Sequence, residues 1–408
     1  MLLVLLAVGG AASAQVLTGI DVLEQENFKT LATIAARHGG HLRIGLLTNQ
    51  TGFDAAGRRT SDILHIDAPK AVPGLSLVAL FSPEHGLNGA LDREGIANTK
   101  DAGTGLPVYS LYGAKPADRR PSPEQMAAVD LLVVDLQDAG VRFYTYETVV
   151  GYFVEAAAKF NKDLVVLDRP DPIGGLAVQG PLTTAGRESY VSYLAEPVRH
   201  GMTLGELARF TNGEKGLHAA LTVVPMKGWR RSMWFDETGL TWVDPSPNLR
   251  SFAEATVYPG TGLIDVPNLS VGRGTDTPFL RIGAPWIHAR DLAGALNQRE
   301  INGIHFVPVT FTPAGDTYPF HGQRCDGVDL VVTDREALNS PEMGLEIAAA
   351  LWKLYPKEFP PEKLDRLVLN ASVLQHLRSG ADPRTITEKG QTELRAFKEK
   401  RAKYLLYQ

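Results

Sequence analysis

The sequence predicts an α/β protein with a parallel sheet in its N-terminal domain and a smaller α+β C-terminal domain. Three observations predict it. Short apolar runs in the first half each end abruptly in a polar loop. Helical periodicity appears between some of those runs. The composition, 44% apolar and 21% charged with 40 Gly and 26 Pro, is that of a loop-rich globular enzyme rather than a helical bundle. A chain of 408 residues also exceeds one ordinary core, so two or three domains are expected.

Residues 1–14 read as a signal peptide. An apolar run from Leu2 to Val8 is followed by Ala12-Ser13-Ala14 before Gln15, a small-x-small cleavage pattern, although the usual positive n-region is missing. The run falls short of the about 20 apolar residues needed to span a bilayer, and no later segment reaches that length. The expectation is an exported protein, periplasmic or secreted, with no membrane span after cleavage.

Five strands follow in order. Arg43–Leu47 runs into Thr48-Asn49-Gln50-Thr51-Gly52, and Leu75–Phe81 into Ser82-Pro83-Glu84-His85-Gly86. Pro107–Leu111 leads to Tyr112-Gly113, Leu131–Val134 to Asp135-Leu136-Gln137-Asp138, and Leu164–Leu167 to Asp168-Arg169-Pro170. Runs apolar on both faces suit a parallel sheet covered by helices. Helices are predicted at Glu124–Val129 and Thr148–Phe160, the second with Val149, Val150, Phe153, Val154, Ala157 and Phe160 on one stripe. Ligands of such sheets bind outside the carboxyl ends of the strands, where every one of these polar loops lies. GxGxxG and GxxxxGK[ST] are absent, so the domain over 18–250 is read as Rossmann-like without a nucleotide cofactor.

Near Trp229–Arg250 the texture turns Trp- and Pro-rich, which suggests a boundary. The second domain, 251–408, is expected to carry Gly-rich loops at Tyr258–Gly262 and Gly272–Thr277, strands at His305–Phe311 and Val328–Val332, and a helix at Pro341–Tyr355.

Several chemistries are disfavoured. Net charge −5 gives no electrostatic footprint for nucleic acid. A lone cysteine, Cys325, rules out an intramolecular disulfide framework, and HExxH, CxxC and EF-hand loops are missing, so no metal site is expected. GxSxG is absent too. What remains at the strand ends is carboxyls, amides (Asn49, Gln50, Gln137) and tyrosines (Tyr109, Tyr112, Tyr144, Tyr146). That mixture suits a carbohydrate: rings stack on sugar faces, amides read hydroxyls, and paired carboxyls cleave a glycosidic bond.

Glu84 is the first candidate acid, because a carboxyl desolvated in a cleft gains the raised pKa of a proton donor. A solvated loop Glu is the bland reading. His85 either orients Glu84, binds substrate hydroxyls or only closes the loop. Glu147 is the second candidate, or else an acid complementing the dipole of a helix that Thr145 caps. Asp135, Asp138 and Asp168 either face the same crevice or cap turns.

The motifs TNQTG, SPEHG, QDAGVRFYTYE, LDRPDPIGG, PSPNL, YPGTG and GRGTDTPF, in that order from about Gly19 onward, resemble the NamZ-type exo-β-N-acetylmuramidases. The resemblance implies a Rossmann-like domain, a smaller C-terminal domain and a cleft between subdomains. It implies release of N-acetylmuramic acid from non-reducing ends of peptidoglycan fragments, with Glu84 as catalytic acid, Glu147 as its partner and Tyr146 beside it. Such a substrate carries a lactyl carboxylate, for which Arg142, Arg169 and Arg273 are the candidate cations. Gly272–Thr277 offers either backbone N–H groups to an anion or a plain tight loop. The alternatives are a non-catalytic cell-wall saccharide-binding protein and a metal-dependent hydrolase of envelope esters or amides.

Overall fold

The computed structural model describes residues 15–408; residues 1–14, read from the sequence as a signal peptide, lie outside the described residues. The main sheet contains β1 (Leu42–Thr48), β2 (Leu75–Ser82), β3 (Thr99–Lys100), β4 (Pro107–Ser110), β5 (Leu131–Asp135) and β6 (Asp163–Leu167). A two-stranded ribbon, β7 (Gln179–Leu182) with β8 (Pro197–Arg199), precedes the last strand of the sheet, β9 (Ala220–Val224). The order across the sheet is β3-β4-β2-β1-β5-β6-β9, parallel throughout except for the short edge strand β3. All five predicted strands are present in parallel register.

The two-sided burial that motivated the parallel reading is explicit in β5 and β6. Leu132, Val134, Leu164 and Val166 enter one apolar layer, and Leu131, Val133, Val165 and Leu167 enter the other. The period-2 alternation thus feeds two cores, one under each helical layer. Helix Tyr146–Phe160 covers the first layer with Val149, Val150, Phe153 and Val154. Helices Gly19–Gln25 and Lys29–Arg37 cover the second.

The second half holds a three-stranded antiparallel sheet, β10 (Arg281–Ala284), β12 (Cys325–Val332) and β11 (Ile304–Phe311), in that spatial order. Helix Ala289–Asn297 packs on it, and helix Ser340–Leu354 packs against that helix and against helix Phe252–Thr261. One expectation is corrected here. Tyr258-Pro259-Gly260-Thr261, read as a Gly-rich loop, forms the end of a helix running Phe252–Thr261 with Pro259 inside it. The glycine serves close approach instead of a turn. A Cβ on Gly260 would lie 2.1 Å from the Ser340 carbonyl oxygen, and one on Gly344 would lie 2.4 Å from the Gly260 carbonyl oxygen. Two helix backbones therefore touch where side chains would hold them apart.

The chain closes back on its first half. Helix Arg384–Arg401 ends with Arg401 Nη1 donating to the carbonyls of Gly175 (3.2 Å) and His200 (2.8 Å). The Tyr407 hydroxyl donates to Asp168 Oδ2 at 2.6 Å. Among the described residues no helix is long and apolar enough to cross a membrane.

Candidate active site

The carboxyl end of β2 delivers Glu84. Two consecutive residues after it, His85 (φ +71) and Gly86 (φ +76), take the left-handed conformation, which is cheap for glycine and costly for histidine. The His85 imidazole meets the cost by bonding the Leu91 carbonyl through Nδ1 at 2.8 Å, closing the loop. Glu84 is half-buried in a cleft of about 420 Å³ between the strand ends and the second half of the chain. That volume lies within the range of small-molecule sites.

Thr145 Oγ1 donates to Glu84 Oε2 at 2.6 Å, which fixes the orientation of the carboxyl. Thr145 was expected to cap the helix behind it; its backbone is already helical and its side chain makes no capping bond, because it serves Glu84 instead. Tyrosines surround the carboxylate. Burial, and next the Glu84 charge, push the Tyr112 and Tyr190 phenols up, so both stay protonated donors. The Arg119 guanidinium lies 4.1 Å from the Tyr190 ring centroid. Tyr144 and Tyr258 line the same wall, with ring centroids 6.3 Å apart.

Asp92 faces His85 at 4.0 Å and accepts from the Tyr318 hydroxyl (2.7 Å) and Asn248 Nδ2 (2.9 Å). Burial pushes its carboxyl up, but the Tyr318 bond, Arg273, His85 and Asn248 together hold it below the usual range. Asp92 is therefore an ionised carboxylate of the cleft. Arg273 lines it too, with Asp265 at 2.6 Å.

The other nominated residues do not reach this cleft. Glu147 is 2% exposed on the inner face of helix Tyr146–Phe160, and neither of its oxygens has a protein partner. Burial, then the charge of Glu196, raise its pKa well above normal; burial raises Glu196 to about 7. These two acids thus form a buried pair, both held above the usual carboxyl range, and neither is a second wall carboxyl. Tyr146 is also fully buried: its hydroxyl donates to the Pro245 carbonyl and accepts from Asn49 Nδ2, both at 2.8 Å. It ties the first strand's loop to the Pro-rich strap behind the cleft. Asn49 completes that tie, its Oδ1 accepting from Thr51 N (2.9 Å) and Oγ1 (2.6 Å).

Gln50, Gln137 and Arg169 line a separate cavity of about 470 Å³. Gln50 Nε2 donates to the Asp244 carbonyl, and Gln137 Nε2 to those of Asp138 and Pro170. Arg169 is held by Asp135 through two bonds, at 2.5 and 3.0 Å. Asp168 is a buried bracket for Thr203, Gly205 and Tyr407, raised to about 7 by burial. Asp138 is likewise buried, and its Oδ2 accepts from the Gly140 backbone. Arg142 is 0% exposed and donates to the backbone carbonyls of Pro181, Glu196, Leu367 and Val368. A long polar side chain at a strand end was read as a ligand contact; here burial turns it into a backbone staple.

Reasoning from sequence did not single out Asp92, eight residues after Glu84, or Arg119, Tyr190 and Arg366, which reach the cleft from more distant segments. Tyr258 and Asn248 sat within quoted motifs, YPGTG and PSPNL, and those motifs were the available signal. Among the described residues no group of three or more His, Cys, Asp or Glu is arranged to hold a metal.

Comparison with known proteins decides the family. The models for the N-terminal and C-terminal regions of exo-β-N-acetylmuramidase NamZ match residues 44–253 and 256–407. The chain belongs to the NamZ family. It is 39% identical over 402 residues to the peptidoglycan β-N-acetylmuramidase NamZ of Bacillus subtilis (strain 168), covering 97% of this chain and 92% of that protein. Two crystal structures of DUF1343 family proteins from Bacteroides fragilis NCTC 9343 share the fold. One has TM-score 0.81 and 35% identity, the other 0.76 and 29%, each covering 97% of this chain and 99% of its own. NamZ membership and the α/β architecture agree with the motif-level expectation, and every cleft contact above lies within or close to the matched regions.

Proposed function

We propose that this protein is an exo-acting glycoside hydrolase that releases N-acetylmuramic acid from the non-reducing ends of peptidoglycan fragments, with Glu84 as proton donor to the leaving oxygen. The observation that carries the reading is the Glu84 carboxyl, presented at a strand end into a tyrosine-walled cleft and oriented by Thr145. A positioned carboxyl of this kind contributes about 10²–10⁴-fold to turnover. Tyr112 and Tyr190 keep their protons and are free to bond sugar oxygens. Asp92 supplies a fixed negative charge toward the positive charge that develops on the ring in an oxocarbenium-like transition state. The buried Glu147–Glu196 pair and Tyr146 support the floor of the site from behind.

The test is incubation with a chromogenic N-acetylmuramic acid glycoside beside its N-acetylglucosamine analogue. Hydrolysis of the first, with strong preference over the second, is expected. Binding of the muramic glycoside without turnover would favour a saccharide-binding role and overturn the proposal. The reaction is further proposed to run outside the cytoplasm, on the strength of the cleavable pattern at residues 1–14. N-terminal sequencing of the exported protein should begin at Gln15.

A further inference from the structure

Three arginines reach the Glu84 cleft, and two are already committed. Arg273 is paired with Asp265 at 2.6 Å, and Arg119 stacks on Tyr190 and lies 3.6 Å from Glu94. The third, Arg366, is solvent-exposed, lines the cleft and makes no ion pair or side-chain hydrogen bond among the described residues. Its neighbour Asp365 does not neutralise it, because both Asp365 oxygens are taken by Arg187, at 2.7 and 2.8 Å.

Arg366 is also held in place from below. It sits on the one-turn helix Asp365–Val368, which Leu369 ends in the left-handed conformation (φ +50). Arg142, buried beneath, donates to the carbonyls of Leu367 and Val368 in that turn and to Pro181 and Glu196 of the first half. The residue expected to bind a carboxylate thus fixes the segment that carries a different, uncommitted guanidinium. Leu367 and Leu369 line the cleft beside it, so the cation is bordered by apolar surface.

We infer that Arg366 is the specificity residue that reads the lactyl group of the substrate: its guanidinium pairs with the carboxylate, while Leu367 and Leu369 take the adjoining methyl. A 3-O-lactyl ether is a carboxylate next to a branched methyl carbon, which is the pattern this corner presents. The inference rests on the proposed muramidase reading and deepens it. Guanidinium suits carboxylate because it offers paired donors in a fixed plane.

The experiment compares kcat/KM for a chromogenic N-acetylmuramic acid glycoside and for the same glycoside with its lactyl carboxylate converted to the methyl amide. The wild-type enzyme is expected to favour the acid by about ten- to a hundredfold, the range for a hydrogen bond to a charged group. Arg366→Met should bring the two substrates within about threefold of each other, and Arg366→Lys should restore part of the preference. Retention of the full wild-type preference in Arg366→Met would overturn the inference and transfer the role to Arg273. Equal wild-type rates on acid and amide would also overturn it while leaving the muramidase reading intact. No hydrolysis of either substrate by the wild type would instead remove the reading on which the inference rests.

Discussion

Replacing Glu147 separates structural from catalytic carboxyls in this site. Its side chain is fully buried, unpartnered and held protonated by burial and by Glu196. Glu147→Ala removes four heavy atoms beyond Cβ from a packed layer. By analogy with other large-to-small core changes, at the low end because a carboxyl gains little from burial, the cost is about 2 kcal/mol. For a domain of about 200 residues that lowers the melting temperature by about 4–8 °C. Glu147→Gln keeps the shape and an uncharged side chain, and should cost little. It should also flatten the fall in stability as pH rises above the ordinary carboxyl range. A group whose folded pKa is raised contributes stability that is present at low pH and lost as pH rises through the folded value, and the amide has no proton to lose. Calorimetry across that pH range, with turnover at saturating muramic glycoside, reads both effects. Turnover of Glu147→Gln should stay within threefold of wild type. A hundredfold loss at unchanged melting temperature would refute the structural assignment and return Glu147 to the mechanism.

Glu84→Gln should lose at least about a hundredfold in turnover with unchanged melting temperature, since the amide cannot donate a proton; activity within threefold of wild type would remove Glu84 from the chemistry. Gly344→Ala places a methyl 2.4 Å from the Gly260 carbonyl oxygen, where only backbone can yield, so thermal unfolding should show a loss of about 1–3 kcal/mol. Wild-type stability should rise as pH falls from 8 to 6.5. Asp138 (about 8), Asp168 (about 7), Asp171 (about 7) and Glu196 (about 7) are all raised by burial and take up protons there. His200, lowered to about 3 by burial, opposes this only below its unfolded value near 6.5. A melting temperature that climbs from pH 6.5 to 8 would contradict those four assignments.

The strands were legible because two-sided burial leaves a run apolar on both faces, as in Leu131–Val134. Glu84 was legible because a strand end followed by His-Gly marks a sharp turn into a cleft. Arg142, Arg169 and Glu147 were not, since a charged residue near a strand end looks the same whether it meets ligand or backbone. Only the fold shows that Arg142 ends on four carbonyls and Arg169 on Asp135. Helix Phe252–Thr261 was hidden for a related reason: Pro-Gly normally breaks a helix, and the partner that needs Gly260 lies 80 residues further along the chain. Arg366 carries no local signal whatever, as its meaning comes from the neighbours that the other arginines have and it lacks.

The bond from Tyr407 to Asp168 has a consequence for how the protein is made. The two residues are 239 positions apart, so Asp168 leaves the ribosome long before the hydroxyl that will cover it. At about 5–20 residues per second the wait is on the order of ten to fifty seconds. Throughout that interval the nascent sheet holds an acid bracket without one of its donors, beside carbonyls that Arg401 has yet to cap. Without that tail the first half lacks these bonds at the end of β6. The final helix and its tail thus complete the bonding at the sheet's far edge, so a chain shortened by its last few residues would leave Asp168 without the Tyr407 donor.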